Sequence, residues 1–208
     1  MHTLDKYPVV KVLTGIVCIS LVFVLLLIYV PSIDIAIHTS ASSLPPFSGL
    51  MIFFSGLAEP ALIGVLIIGT FIALAVRKKY SAFLFSALSF SAVLFLSGVL
   101  KEFFSRARPL EFLSKGYGFP SGHVTAAVVV YGVLSLLLWK QSKKIALSLL
   151  FIPILVGISR ILLGMHWLSD VIGGILFGSL WLLICYLIVY IIRKKVGSLS
   201  KLFQPRKI

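Results

Sequence analysis

Three short segments of this chain gather side chains that could bind an anion and attack it. The first runs from Lys101 to Arg108-Pro109. The second is Pro120-Ser121-Gly122-His123. The third reads Ser159-Arg160, five residues, His166, three residues, Asp170. Pro-Ser-Gly ahead of an apolar run is a good helix start. Ser121 can cap it, and the first backbone N–H groups, from Gly122 on, point outward at the positive end of the helix dipole. His123 then sits where an anion would bind. Lys101, Arg108 and Arg160 supply charge: an arginine can grip two phosphate oxygens at once, while a lysine acts as a point charge. His166 and Asp170 are four apart, which on a helix places them on one face. A carboxylate at one imidazole nitrogen fixes the tautomer and makes the other nitrogen more basic, as in an activated nucleophile or base.

Taken singly, these residues have ordinary explanations. A histidine at a membrane interface is a polar anchor, an arginine near a span end snorkels, and Lys101 alone would be a helix terminator. Asp170 is harder to dismiss, because an acidic residue within an apolar run is costly and marks function. The coincidence decides: three basic residues, two histidines and an aspartate converge on one side of the elements that carry them.

Those elements are membrane spans. Of 208 residues, 60% are apolar and 12% charged, with a mean hydropathy of +1.12. Soluble domains run near 45–50% apolar and about 25% charged. The composition excludes a disordered chain, a disulfide scaffold and a coiled coil. It also turns the net charge of +13 away from nucleic acid and toward the membrane surface. Cys18 and Cys185 each lie inside an apolar run and read as packing residues. Six spans are expected, at about 12–30, 56–76, 81–100, 124–139, 145–163 and 167–192, forming a single all-α domain over 1–208. The 19-residue run from Val12 to Val30 is long for the apolar core of a signal peptide and reads as a retained span.

Sidedness follows from the basic residues. With a cytoplasmic N-terminus, fourteen of the nineteen Lys and Arg fall inside, including 77–79, 140, 143, 144 and the tail. Five fall outside: Lys101, Arg106, Arg108, Lys115 and Arg160. Both termini are therefore expected in the cytoplasm, and all five exceptions lie in two short outside segments.

With that topology, Lys101-x6-Arg108-Pro109, Pro120-Ser121-Gly122-His123 and Ser159-Arg160-x5-His166-x3-Asp170 resemble the three-part signature of the type 2 phosphatidic acid phosphatase (PAP2) superfamily, in order and without substitution. The resemblance covers essentially the whole chain. The ten residues between Pro109 and Pro120 look short for the family and leave little material for a substrate-selecting loop. The resemblance implies that His166 is the nucleophile, forming a phosphohistidine, and that Asp170 orients it. It implies that His123 protonates the leaving alcohol and then activates water. Lys101, Arg108, Ser121, the Gly122 N–H and Arg160 would hold the phosphoryl oxygens. No cofactor and no metal are implied, in keeping with the lack of an acidic cluster suited to Mg²⁺. Positioned positive charge is what a phosphoryl transition state needs.

A lipid phosphate fits the depth of the constellation at the outer ends of the spans. Phosphatidylglycerophosphate, phosphatidic acid and undecaprenyl diphosphate are the candidates, acted on at the extracytoplasmic face of the cell membrane. The partners expected are membrane lipids, not nucleic acid. The rivals are a haloperoxidase, whose relatives are soluble, and a headgroup carrier or scramblase, which would not need His166 with Asp170. Some residues stay open. Glu59 is either a helix-start carboxylate or a contact to Arg160 or another site cation. Ser105-Arg106 is either an ordinary loop pair or, through Arg106, a help with a diphosphate. Asp34, within Ile33–Ile37, would lie along the interface. Gly173, Gly174 and Gly178 would permit close helix packing, and the three tryptophans read as interface or packing residues.

Overall fold

The computed structural model describes residues 31–42, 48–109 and 116–202. The first expected span, 12–30, lies outside the described residues, as do Glu111, Lys115, Arg206 and Lys207. Regular structure among the described residues is entirely helical: α1 (Pro31–Ser42), α2 (Ser48–Gly56), α3 (Pro60–Val76), α4 (Tyr80–Leu94), α5 (Leu96–Phe104), α6 (Gly122–Leu138), α7 (Lys143–Leu162) and α8 (Leu168–Leu202). Among the described residues, four stretches are long and apolar enough to cross a membrane: Gly49–Val76, Tyr80–Phe104, Lys143–Leu162 and Leu168–Lys195. Gly122–Leu138 is a shorter apolar helix. They fall on the second to sixth expected spans.

The boundaries differ from the expectation in physical ways. The apolar run from residue 48 breaks at Leu57–Glu59, and α3 starts afresh with Pro60 in its first turn, where a missing N–H costs nothing. Lys101 does not end its helix. α5 runs on to Phe104 and stops where Ser105 turns left-handed at φ 45°. α8 continues far past residue 192, because the Arg193-Lys194-Lys195 run consists of good helix formers.

α6 is the hub. Its residues from Val124 to Val133 are buried all round, the pattern of a helix enclosed by others. Val129, Val130 and Val133 pack with Phe85 and Phe90 of α4 and Cys185 and Val189 of α8. Val124, Ala127, Val128 and Tyr131 pack with Val156 of α7 and Val171 of α8. The outer helices invert the soluble pattern. Val65, Ile68 and Ile72 of α3, and Leu147, Leu150, Phe151, Ile154 and Ile158 of α7, form exposed apolar stripes suited to lipid.

Small residues bring α8 close to α6. A Cβ on Gly174 would lie 2.9 Å from the Ser121 carbonyl oxygen, and one on Gly178 would lie 2.9 Å from Val128 Cγ1. One on Gly173 would strike the Phe119 ring. This close approach sets the N-terminal turn of α8 beside the start of α6. The basic helix ends gather at the opposite end of the bundle, where Lys140, Arg193 and Lys194 border one groove and Arg77 and Lys79 border another.

Candidate active site

The turn between α7 and α8, the loop after α5 and the start of α6 meet at one end of the bundle. Asp170 stands in the first turn of α8, while His166 lies in the turn ahead of that helix. The pair still forms: His166 Nδ1 is 3.1 Å from Asp170 Oδ2, and both side chains are buried. A carboxylate can only accept, so Nδ1 carries the hydrogen. The Trp167 N–H donates to the same oxygen at 3.0 Å, and Arg106 Nη1 donates to Asp170 Oδ1 at 3.2 Å. Nε2 of His166 thus keeps its lone pair, with Arg108 Nη1 3.4 Å away.

His166 lies outside the spans, and its pKa is lowered from the ordinary 6.5 to about 4. Burial is the main cause. The Asp170 hydrogen bond and charge pull it back up, while the Arg108 and Arg160 charges push it further down. The imidazole is therefore neutral at physiological pH, the form a nucleophile requires.

The cations around Nε2 have neutral partners. Arg108 donates from Nε to the Gly116 carbonyl at 3.1 Å and from Nη1 to the Met165 carbonyl at 3.3 Å. Burial lowers its pKa, and the Asp170 charge opposes this. Arg160, near the end of α7, donates from Nη1 to Ser55 Oγ of α2 at 2.9 Å. Its Nε is buried without a partner among the described residues. Lys101, on α5, faces the charges of Arg108, Arg160 and Asp170. Ser121 is at the N-cap position of α6, but its side chain does not cap the helix. The expected cap is not made, and the fully buried hydroxyl is free among the described residues. The backbone explains this: Ser121 N–H donates to the Asp170 carbonyl at 3.0 Å, and close contact with Gly174 holds the segment in place. Gly122 and His123 open α6, where the first N–H groups have no intrahelical acceptor. Buried donors and cations without acceptors are costly. Here they frame a place for an anion.

Of the two open residues, Glu59 pairs with His123, Oε2 to Nε2 at 3.4 Å. Arg106 turns away from the cations. Its Nη2 pairs with Asp34 Oδ2 at 2.6 Å while its Nη1 contacts Asp170 and Ser169 Oγ. Asp34 is buried and accepts from both the N–H (3.0 Å) and the hydroxyl of Ser169, so it does not lie along the interface. Ser55 and Ser169 are not among the sequence candidates, and Asp34 is read there only as an interface residue. The one available signal was that Asp34 is a carboxylate in an otherwise apolar stretch.

Residues 79–194 match the PAP2 superfamily, which is more than half of the chain, and the chain belongs to that superfamily. It is 36% identical to phosphatidylglycerophosphatase B of Bacillus subtilis over 115 residues, covering 50% of this chain and 56% of that protein. It is 33% identical to undecaprenyl-diphosphatase of Sulfolobus acidocaldarius over 129 residues, covering 58% and 59%. It is 31% identical to lipid A 1-phosphatase of Rhizobium etli over 134 residues, covering 58% and 53%. The matches thus span little more than half the length of these curated relatives. In three dimensions the chain is similar to the crystal structure of a transmembrane PAP2 type phosphatidylglycerolphosphate phosphatase from Bacillus subtilis. The TM-score is 0.72 at 26% identity, covering 92% of this chain and 98% of that one. The long apolar helices and this likeness make the chain a multi-pass membrane protein.

Proposed function

We propose that this protein is a metal-independent lipid phosphatase that works through a phosphohistidine. The observation that carries the reading is the state of His166: its Nδ1–H is held by Asp170, and its Nε2 faces Arg108, which makes no ion pair with a carboxylate among the described residues. In the first step Nε2 attacks phosphorus. The P–N bond forms as the bond to the lipid oxygen breaks, and His123 gives its proton to that oxygen. In the second step a water attacks phosphorus, His123 takes its proton, the P–N bond breaks and inorganic phosphate leaves. Lys101, Arg108 and Arg160, with Ser121 Oγ and the Gly122 N–H, hold the oxygens on which charge develops. The pairing with Glu59 orients His123 for both transfers.

The substrate is a phosphomonoester or diphosphate of a membrane lipid, with phosphatidylglycerophosphate, phosphatidic acid and undecaprenyl diphosphate as the candidates. The names of the relatives support that class. The reading also includes one domain of six spans, both termini in the cytoplasm and the site on the extracytoplasmic face. Grouping of the basic helix ends opposite the site supports this sidedness. The test is phosphate release from purified protein in detergent, across the three lipids and one soluble ester. Release that His166→Ala abolishes, and that vanadate as a transition-state mimic blocks, is the expected result. Headgroup binding without release would make the protein a carrier instead, and full activity in His166→Ala would end the mechanism.

A further inference from the structure

We propose that Asp34 is a positioning residue for catalysis: held on α1, it occupies half of the Arg106 guanidinium and so limits how much positive charge Asp170 feels. The inference rests on reading the site as a phosphohistidine-forming phosphatase. Asp34 is nearly inaccessible, although its neighbours Ile33 and Ile35 are exposed. It is a charged group turned inward from a helix whose flanking side chains face outward, so solubility does not explain it.

Its partners explain it better. Arg106 spends Nη2 on Asp34 at 2.6 Å and Nη1 on Asp170 at 3.2 Å. Ser169, which precedes Asp170, donates both its N–H and its hydroxyl to Asp34. Trp167 closes the other side. Its indole N–H donates to the Ala107 carbonyl at 3.0 Å, its ring packs edge-on against His38 of α1, and the Arg106 guanidinium lies 5.9 Å from the ring centre. The arginine thus cannot leave Asp34 without breaking contacts on three elements.

The charge arithmetic gives the consequence. With Asp34 present, two carboxylates share one guanidinium, and Asp170 retains negative charge to hold the Nδ1 proton and keep Nε2 electron-rich. With Asp34 neutral, Arg106 and Asp170 cancel, and the nucleophile weakens. The contacts that would grip phosphate, from Arg108, Arg160, Lys101 and Ser121, do not pass through Asp34. The loss should therefore fall on turnover and spare binding.

Asp34→Asn keeps the size and one oxygen to accept from Ser169, removes the charge, and exchanges the second acceptor oxygen for an amide donor. The experiment measures kcat and KM for phosphate release, and the inhibition constant of inorganic phosphate, in wild type, His166→Ala, Asp34→Asn and the double variant Asp34→Asn/Arg106→Gln. We expect kcat to fall about tenfold in Asp34→Asn, the scale of a perturbed proton-transfer or nucleophilic step. KM and the phosphate constant should stay within about twofold. Adding Arg106→Gln restores the negative balance and a donor to Asp170, so kcat should recover at least about threefold. A residue that merely anchors α1 predicts the reverse, since the double variant would then be no better than the single one. Unchanged kcat in Asp34→Asn, a rise in KM together with the phosphate constant, or no recovery in the double variant would each overturn the inference while the site reading stands. A wild type that releases no phosphate would overturn that reading, and this inference with it.

Discussion

On one side of the His166–Asp170 pair, Arg106 meets two carboxylates and a hydroxyl. On the other, Arg108 and Arg160 hydrogen-bond, among the described residues, to carbonyl groups, a serine and an imidazole. Arg106 and Arg108 are two residues apart in one loop, so composition does not separate them. What separates them is which buried groups each can reach. A guanidinium between carboxylates has its charge consumed inside the protein and serves as a structural tie. A guanidinium among neutral acceptors keeps most of its charge for a ligand. Arg160 Nε and Ser121 Oγ, which have no hydrogen-bond partner among the described residues, lie on the second side. This contrast is what supports placing the proposed anion site on the second side.

The largest expected effects come from removing each arginine in turn. Arg108→Gln should lower kcat/KM for phosphate release by roughly 10²–10³-fold, the loss typical of a transition-state donor. It should also weaken inhibition by vanadate and leave thermal stability nearly unchanged. Arg106→Gln should instead leave two buried carboxylates facing each other and destabilise the fold by about 3 kcal/mol, seen as a lowered melting temperature in detergent. If Arg108→Gln unfolds the protein and Arg106→Gln only slows it, the assignment of the two sides is inverted.

The same comparison shows what was legible in the sequence. The second side was visible because its residues are chemically expensive in an apolar chain: Lys101, Arg108, His123, Arg160, His166 and Asp170 interrupt or flank long apolar runs. The apolar runs that form α3 to α8 were visible for the same reason. The first side was not. Asp34 lies 72 residues before Arg106, in a segment with no periodic link to the catalytic region, and Ser169 differs in no local way from other serines. Such pairings are set by helix packing, which one sequence does not encode in its spacing. The fate of Ser121 was hidden similarly. Its position at the helix start was plain, but its hydroxyl is left over because tertiary contacts with α8 fix the backbone first.

A smaller effect probes the seam between the two sides. A Cβ at Gly118 would lie 2.9 Å from Asp170 Oδ2 and 3.4 Å from Arg108 Cγ. Asp170 cannot give way freely, since His166, Trp167 and Arg106 hold its two oxygens. Gly118→Ala should therefore disturb both sides at once. A loss of about tenfold in kcat with a modest rise in KM is the expected result, consistent with ångström-scale misplacement of catalytic groups. Wild-type kinetics in this variant would mean that the contact relaxes, and that Asp170 is less firmly held than its three donors imply.

The subtlest consequence is a titration. An ordinary imidazole with a pKa near 6.5 would be mostly charged at pH 5.5. His166, pushed down to about 4 by burial and by the Arg108 and Arg160 charges against the pull of Asp170, should still be neutral there. The ¹⁵N resonances of its ring, recognised by their loss in His166→Asn, should report an Nδ1–H tautomer at pH 5.5 and a charged ring only near pH 4. The sign carries over to stability. The unfolded chain binds this proton at about 6.5 and the folded one only near 4, so the folded state is undermined as pH falls between those values, by about 3 kcal/mol at the lower limit. A ring that titrates near 6.5 would mean that Asp170 outweighs burial and the two arginines. The neighbouring cations would then be more screened than their partners among the described residues suggest, and the contrast between Arg106 and Arg108 would shrink accordingly.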